Sequence, residues 1–145
     1  MPVRFRILPD RGLVVVRYSG HVAIDDTMRA TRAYVSHPHY APGQKQLVDF
    51  GPITGYEKDY VRFMQMQAEK AGRFASSRTQ SLVVYIAPTA ISQELASLFF
   101  KSWNDVHNVV PIVQDCEIEA LTLLGEADET VETLLTPAAG RQALQ

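Results

Sequence analysis

Three continuous apolar runs restrict this chain more than any other feature: Leu13 to Tyr18 (LVVVRY), Leu47 to Phe50 (LVDF) and Ser81 to Ala87 (SLVVYIA). Short runs of this kind read as strands covered on both faces. Helix-period segments separate them, and such alternation means parallel pairing through right-handed crossovers. The central run lies within Lys45 to Tyr56, KQLVDFGPITGY, where a buried strand enters a Gly-Pro loop that delivers the chain to a long helix.

Around these runs the remaining elements fall into order. Val3 to Leu8 alternates, with Val3, Phe5 and Ile7 opposite Arg4 and Arg6, which predicts a half-buried strand. Pro9-Asp10-Arg11-Gly12 is a turn sequence and joins it to Leu13–Tyr18 as an antiparallel edge hairpin. A helix is expected from about Ala23, with Asp25 and Asp26 at its positive end and Ile24, Met28, Thr31 and Val35 on one face. The second helix, from Glu57, carries two neighbouring stripes. One is Val61, Met64, Ala68, Ala71 and Ala75; the other is Tyr60, Phe63, Gln67 and Phe74. Two stripes imply a helix that meets more than the sheet, or one that leaves aromatics exposed. Thr89 is suited to cap a third helix, whose inward residues are Ile91, Leu95, Leu98, Phe99, Ser102 and Val106. Val109 to Val113 is a last short strand, and Asp115 is placed to cap a final helix that Gly125 stops.

Residues 1–125 therefore read as one α/β domain of order β-β-α-β-α-β-α-β-α. Its sheet is mixed, mostly parallel and five-stranded, with an antiparallel N-terminal edge hairpin. Residues 126–145 differ: Glu126 to Glu132 is acidic, Val131, Leu134 and Leu135 are apolar, and Thr136 to Gly140 reads as flexible. Alone this is a fraying tail; packing on the domain or on a neighbouring subunit are the alternatives.

Composition removes several function classes. The 14 basic residues are interspersed with 16 acidic ones and net charge is −2, so the basic face that a nucleic-acid backbone needs is missing. No apolar run approaches the roughly 18 residues of a spanning helix, so no transmembrane segment is expected. The start, MPVRFRILPD, has no continuous apolar region of a signal peptide. A single cysteine, Cys116, excludes an internal disulfide framework and suits a reducing, cytoplasmic setting.

In a sheet of this kind, ligands and partners meet the loops at the carboxyl ends of the parallel strands. Those loops are Ser19-Gly20-His21, Gly51 to Glu57, Pro88-Thr89 and Gln114-Asp115-Cys116. With their flanks they gather His21, Asp49, Thr54, Tyr56, Glu57, Lys58, Thr89 and Asp115 into a candidate contact surface. Asp49, Glu57, Asp59 and Asp115 with His21 would suit acid–base work, but no nucleophile–base–orienter order is visible, and strand ends and first helical turns already employ carboxylates. No catalytic residue is assigned. His21, His37 and His39 invite a metal, yet a catalytic zinc needs three ligands, and Pro38 between two of them suits a solvated loop. No metal or cofactor is expected. Neither GxGxxG nor GxxxxGK[ST] occurs, so Gly51 and Gly55 serve turn geometry. Cys116 begins a helix, where the dipole favours a thiolate, but with no second cysteine it reads as a small buried residue. Phe63, Met64, Met66 and Phe74 read as core, with a homodimer contact and an apolar ligand as other uses of that group.

The element order, with LVDFGPITGYEKDYV at the middle strand and helix and RGLVVVRYSGHV before the first helix, resembles the STAS fold of anti-sigma-factor antagonists. It resembles in particular the divergent STAS/SEC14-like branch of small bacterial proteins, over about Val3 to Gly125. The resemblance implies a non-enzymatic regulatory or scaffold domain that binds a partner protein through the loop and helix after the central strand. Members that work in sigma-factor switching carry a phosphorylatable Ser or Thr just after that strand, in an Asp-Ser-Ser-Gly or similar loop. Here Glu57, Lys58 and Asp59 stand there, and the aliphatic hydroxyl of the loop, Thr54, comes several residues early. The phosphoswitch is therefore not carried over. The alternative reading, from the double stripe of the second helix, is an apolar small-molecule or lipid-binding carrier.

Overall fold

The computed structural model describes residues 2–75, 79–104 and 106–137, with side chains omitted at 73–75. The elements are β1 (Val3–Leu8), a 3-10 turn (Pro9–Arg11), β2 (Leu13–Tyr18), β3 (Gly20–Val22), α1 (Ile24–Val35), β4 (Lys45–Asp49), β5 (Ile53–Tyr56), α2 (Tyr60–Ala75), β6 (Ser81–Ile86), α3 (Ala90–Lys101), β7 (Val109–Gln114), α4 (Glu117–Leu123) and α5 (Val131–Leu135). Five strands form the main sheet in the order β1-β2-β4-β6-β7. β1 is antiparallel to β2 and every other pair is parallel. This is the α/β fold with a mixed, mostly parallel sheet and an antiparallel edge hairpin that the apolar runs imply. Gly12 makes the hairpin turn, taking a left-handed φ of 59° and donating its N–H to Pro9 O.

Alternation along the strands sorts their side chains into two cores. Val14, Val48, Val83 and Tyr85 point to one face, where Ile24 and Tyr34 of α1, Phe63 and Met66 of α2, and Leu95 and Phe99 of α3 cover them. Leu13, Val15, Leu47, Val84 and Ile86 point to the other, beneath α4 and α5. The strand order advances without reversal, so each right-handed crossover places its helix on the same face. No change of direction opens a crevice at the carboxyl edge.

That edge carries a second, two-stranded parallel sheet of β3 and β5. The segments expected as the loops Ser19-Gly20-His21 and Gly51 to Glu57 are thus partly strand. Gly20 N–H donates to Pro52 O and Glu57 N–H to Val22 O, at 3.2 and 2.8 Å. Val22, Ile53 and Tyr56 are buried beneath, so the chain gains a small lid over the first core for a few backbone bonds.

Three further expectations are corrected. Met64, expected in the core with Phe63 and Met66, is 50% exposed: Phe63 and Gln67 turn inward together with Met66, while Val61, Met64 and Ala68 face solvent and Tyr60 is left as an exposed aromatic, as the two stripes allow. The larger ring decides, because Phe63 packs edge-on against Phe99 with centroids 5.3 Å apart. The Phe74 and Ala75 side chains lie outside the described residues. Asp115 does not cap α4: Cys116 occupies the N-cap position without a side-chain bond. Cys116 is half-buried rather than buried.

Residues 126–137 pack on the second face of the same sheet. Val131, Leu134 and Leu135 are buried in the second core, and Thr130 caps α5 by accepting from Thr133 N–H. Arg6 donates to Leu134 O at 3.0 Å, and Arg11 pairs with Glu126 at 2.5 Å and Glu129 at 3.2 Å. Ala138 to Gln145 lie outside the described residues. Among the described residues, no helix is long and apolar enough to cross a membrane.

Candidate functional site

At the carboxyl edge, most of the carboxylates and hydroxyls already have structural partners. Asp49 ends β4 and is buried; its Oδ2 accepts from Arg17 Nε at 3.0 Å and its Oδ1 from Gly51 N–H at 2.8 Å. This closes a tight turn, and a Cβ added at Gly51 would stand 3.0 Å from Asp49 Oδ1. Glu57 faces the start of α1, where its Oε1 accepts from Ile24 N–H at 3.1 Å, close to the positive end of the helix dipole. Its Oε2 pairs with Arg62 at 3.4 Å, and Arg62 also pairs with Asp25, so Glu57 and Arg62 fasten α1 to α2. Thr89 caps α3 in a reciprocal box with Ser92.

Tyr56, Lys58 and Glu94 are brought together. The Tyr56 hydroxyl donates to Glu94 Oε1, while Lys58 Nζ lies 5.4 Å from the Tyr56 ring centroid and 3.9 Å from the same Glu94 oxygen. Burial, then the Glu94 carboxylate, pushes the Tyr56 hydroxyl above its usual range. It is held as a donor rather than an anion. His21, Thr54 and Asp115 are exposed and make no side-chain hydrogen bond or ion pair among the described residues. The Gly55 position passes close to His21, since a Cβ there would lie 3.4 Å from His21 Nδ1.

Two combinations at this edge are not given by sequence spacing, although the residues themselves stand out in the sequence. Glu94, one turn into α3, is the shared partner of Tyr56 and Lys58; its place beyond the Thr89 cap was the available signal. The second is an apolar row at the start of α2: Tyr60, Val61 and Met64 are 50, 71 and 50% exposed. Met64 is the helical neighbour of both, four residues after Tyr60 and three after Val61.

Among the described residues no group of three His, Cys, Asp or Glu side chains is arranged to hold a metal. His37 and His39 are exposed neighbours in the connection after α1, where His39 N–H donates to His37 Nδ1 at 3.1 Å. No known family model matches the chain, and no curated protein matches it.

Proposed function

We propose that this is a non-enzymatic regulatory or scaffold domain of STAS-like type that binds a partner protein through β5, Lys58 and the exposed side of α2. The exposed row Tyr60, Val61 and Met64 carries the reading. Three large apolar side chains on one helical side, rimmed by Lys58, Glu94 and Arg62, have the make-up of a contact patch with an apolar centre and a polar margin. The engagement of Asp49, Glu57 and Thr89 in turns and caps supports contact over acid–base chemistry. A lone cysteine fits a reducing compartment, and we place the domain in the cytoplasm of a bacterium on that ground and on the resemblance.

A photo-crosslinking amino acid at Val61, with Thr122 as the control position on α4, tests the surface in cells. The expected result is one reproducible heterologous adduct from Val61 that Met64→Asp abolishes. Equal adducts from both positions would remove the surface assignment. Adducts only to a second copy of the chain, with a matching dimer in sedimentation, would make the row a homodimer contact instead.

A further inference from the structure

The two edges of the main sheet are finished differently. At β7, Ser81 N–H donates to Asn108 O and Ala87 N–H to Gln114 O, so Val110, Ile112 and Gln114 turn their backbone groups to β6. Val109, Pro111 and Val113 therefore face outward. Pro111 has no N–H, and that of Val109 is given to Val106 O, so this edge offers little to a further strand.

The β1 edge is open. Ser19 N–H donates to Pro2 O at 2.8 Å, which fixes the alternation of the hairpin ladder. Arg4 and Arg6 bond to β2, and the N–H and C=O groups of Val3, Phe5 and Ile7 point away from it, without a partner among the described residues. Beside this row runs a trough of about 500 Å3. Pro2, Val3 and Phe5 form one wall, and Ala30 and Ala33 of α1 the other. Asp26 and Arg29 also line it, but they are paired with each other at 2.8 Å and leave it without net charge. At roughly 30 Å3 for each water-sized group, the trough holds several small side chains.

The two faces of β1 differ in charge. Val3, Phe5 and Ile7 turn their side chains to the first core, beside the trough. Arg4 and Arg6 turn theirs to the other face, where Arg6 donates to Leu134 O, and neither has an ion pair among the described residues. Glu132 feels the charge of Arg4 but is bonded to Arg17 at 2.6 Å and to Thr136. A strand added here would set alternate side chains into the trough and the others against the two arginines.

We propose that the free edge of β1 takes up an extended segment of a partner protein as a further strand, one whose residues alternate between apolar and acidic. Backbone pairing holds the segment, its apolar residues fill the trough against Ala30 and Ala33, and its carboxylates meet Arg4 and Arg6. A second copy of this chain lacks that complement. Pairing about Phe5 would set Arg4 against Arg6 on both sides of the axis, like charge on like charge. Residues 138–145, AAGRQALQ, bring Arg141 and no acidic side chain, so the chain's own end lacks it too. This edge is separate from the α2 row and stands whether or not that row binds a partner.

Titration of the full chain with a capped peptide of alternating valine and glutamate, read by calorimetry and by amide chemical shifts, tests the edge. Saturable binding is expected, with shifts centred on Val3, Phe5, Ile7 and Ala33. The same peptide N-methylated along its backbone cannot donate to the edge and should bind at least tenfold more weakly. Lysine in place of each glutamate should also cost tenfold or more, and Arg4→Glu, at an exposed position, should erase most of that difference. Ala33→Trp, which fills the trough from an exposed helical position, should lose tenfold in affinity. Lack of saturation in the wild-type chain, equal binding of either altered peptide, a charge preference undiminished in Arg4→Glu, or undiminished binding by folded Ala33→Trp would overturn the proposal. So would a dimer in sedimentation that the peptide leaves intact and in which the Val3 and Phe5 amides resist exchange, because the edge would then belong to a second copy.

Discussion

Arg17 and Asp49 are register partners across β2 and β4, and their side chains continue the pairing, with Arg17 Nε 3.0 Å from Asp49 Oδ2. The same guanidinium reaches Glu132 at 2.6 Å, so one arginine joins the central strand to α5. The two pairs are unequal: the Asp49 side chain is 6% exposed and that of Glu132 is 60%. Arg17→Met would leave a buried carboxylate with the Gly51 N–H as its remaining partner among the described residues, and should cost about 3 kcal/mol. Glu132→Gln should leave the denaturation midpoint nearly unchanged, because solvent screens an exposed pair. Urea unfolding of the two variants checks this contrast.

Lys70 gives stability an unusual pH dependence. Its folded pKa of about 8 lies below the 10.5 of the free side chain. Between those values the unfolded chain holds a proton that the folded chain has released, so stability rises with pH across that window. The rise is at most about 3 kcal/mol, less where the half-buried side chain keeps some water. Tyr18, raised to about 12, acts in the opposite sense, as do Tyr34, Tyr56 and Tyr85. Above about pH 10 the unfolded chain ionises its phenols first, and stability falls. Unfolding free energy should therefore peak at about pH 9–10, and Lys70→Met should flatten the climb while stabilising the protein at pH 7. A climb that survives in the variant would belong to another group.

The second core depends on α5. Leu134 is 1% exposed among residues of β2, β4, β6 and α4, and Leu134→Ala should cost about 3 kcal/mol. A chain ending at Gly125 would bare Leu13, Val15 and Leu47 together, and should bind a hydrophobic dye and leave the monomer peak in size-exclusion chromatography.

Gln67 supplies a test with the opposite sign. Its Nε2 donates to Ser102 Oγ at 2.5 Å, while its Oε1 is buried with no partner among the described residues. Gln67→Met keeps the length and removes the orphaned oxygen, so stability should be unchanged or raised by about 1 kcal/mol. Thermal unfolding reads it; a loss larger than that would show that the oxygen is satisfied.

The main sheet is legible in the sequence because its signals are local. Val3–Leu8 and Leu13–Tyr18 announce themselves by alternation and by a valine run, and Pro9 to Gly12 by turn chemistry. β3 and β5 are three and four residues long, too short for a period to register, and they exist only because Gly20 meets Ile53 in space. The inward side of α2 was undetermined because Val61 and Met64 are as apolar as Phe63 and Met66; ring packing against Phe99 settles it. At the candidate surface, the Thr89 cap is a local signal. The ties of Asp49 to Arg17 and of Glu57 to Ile24 join residues 32 and 33 positions apart, which no spacing rule reports. Lys70 is harder still, since a lysine after a glutamate on a helix reads as solvated until α1 and α3 are laid beside it.

The two helices that cover the second core come after all seven strands in the chain. On the ribosome, α1 to α3 can clothe one side of the sheet as it is made, but Leu13, Val15, Leu47, Val84 and Ile86 must wait for Leu135 to leave the exit tunnel. At about 5–20 residues per second, the interval from Gln114, the end of β7, to Leu135 lasts roughly 1–4 s. For that time the nascent protein carries a finished strand array with one greasy side uncovered, a natural substrate for a ribosome-bound chaperone.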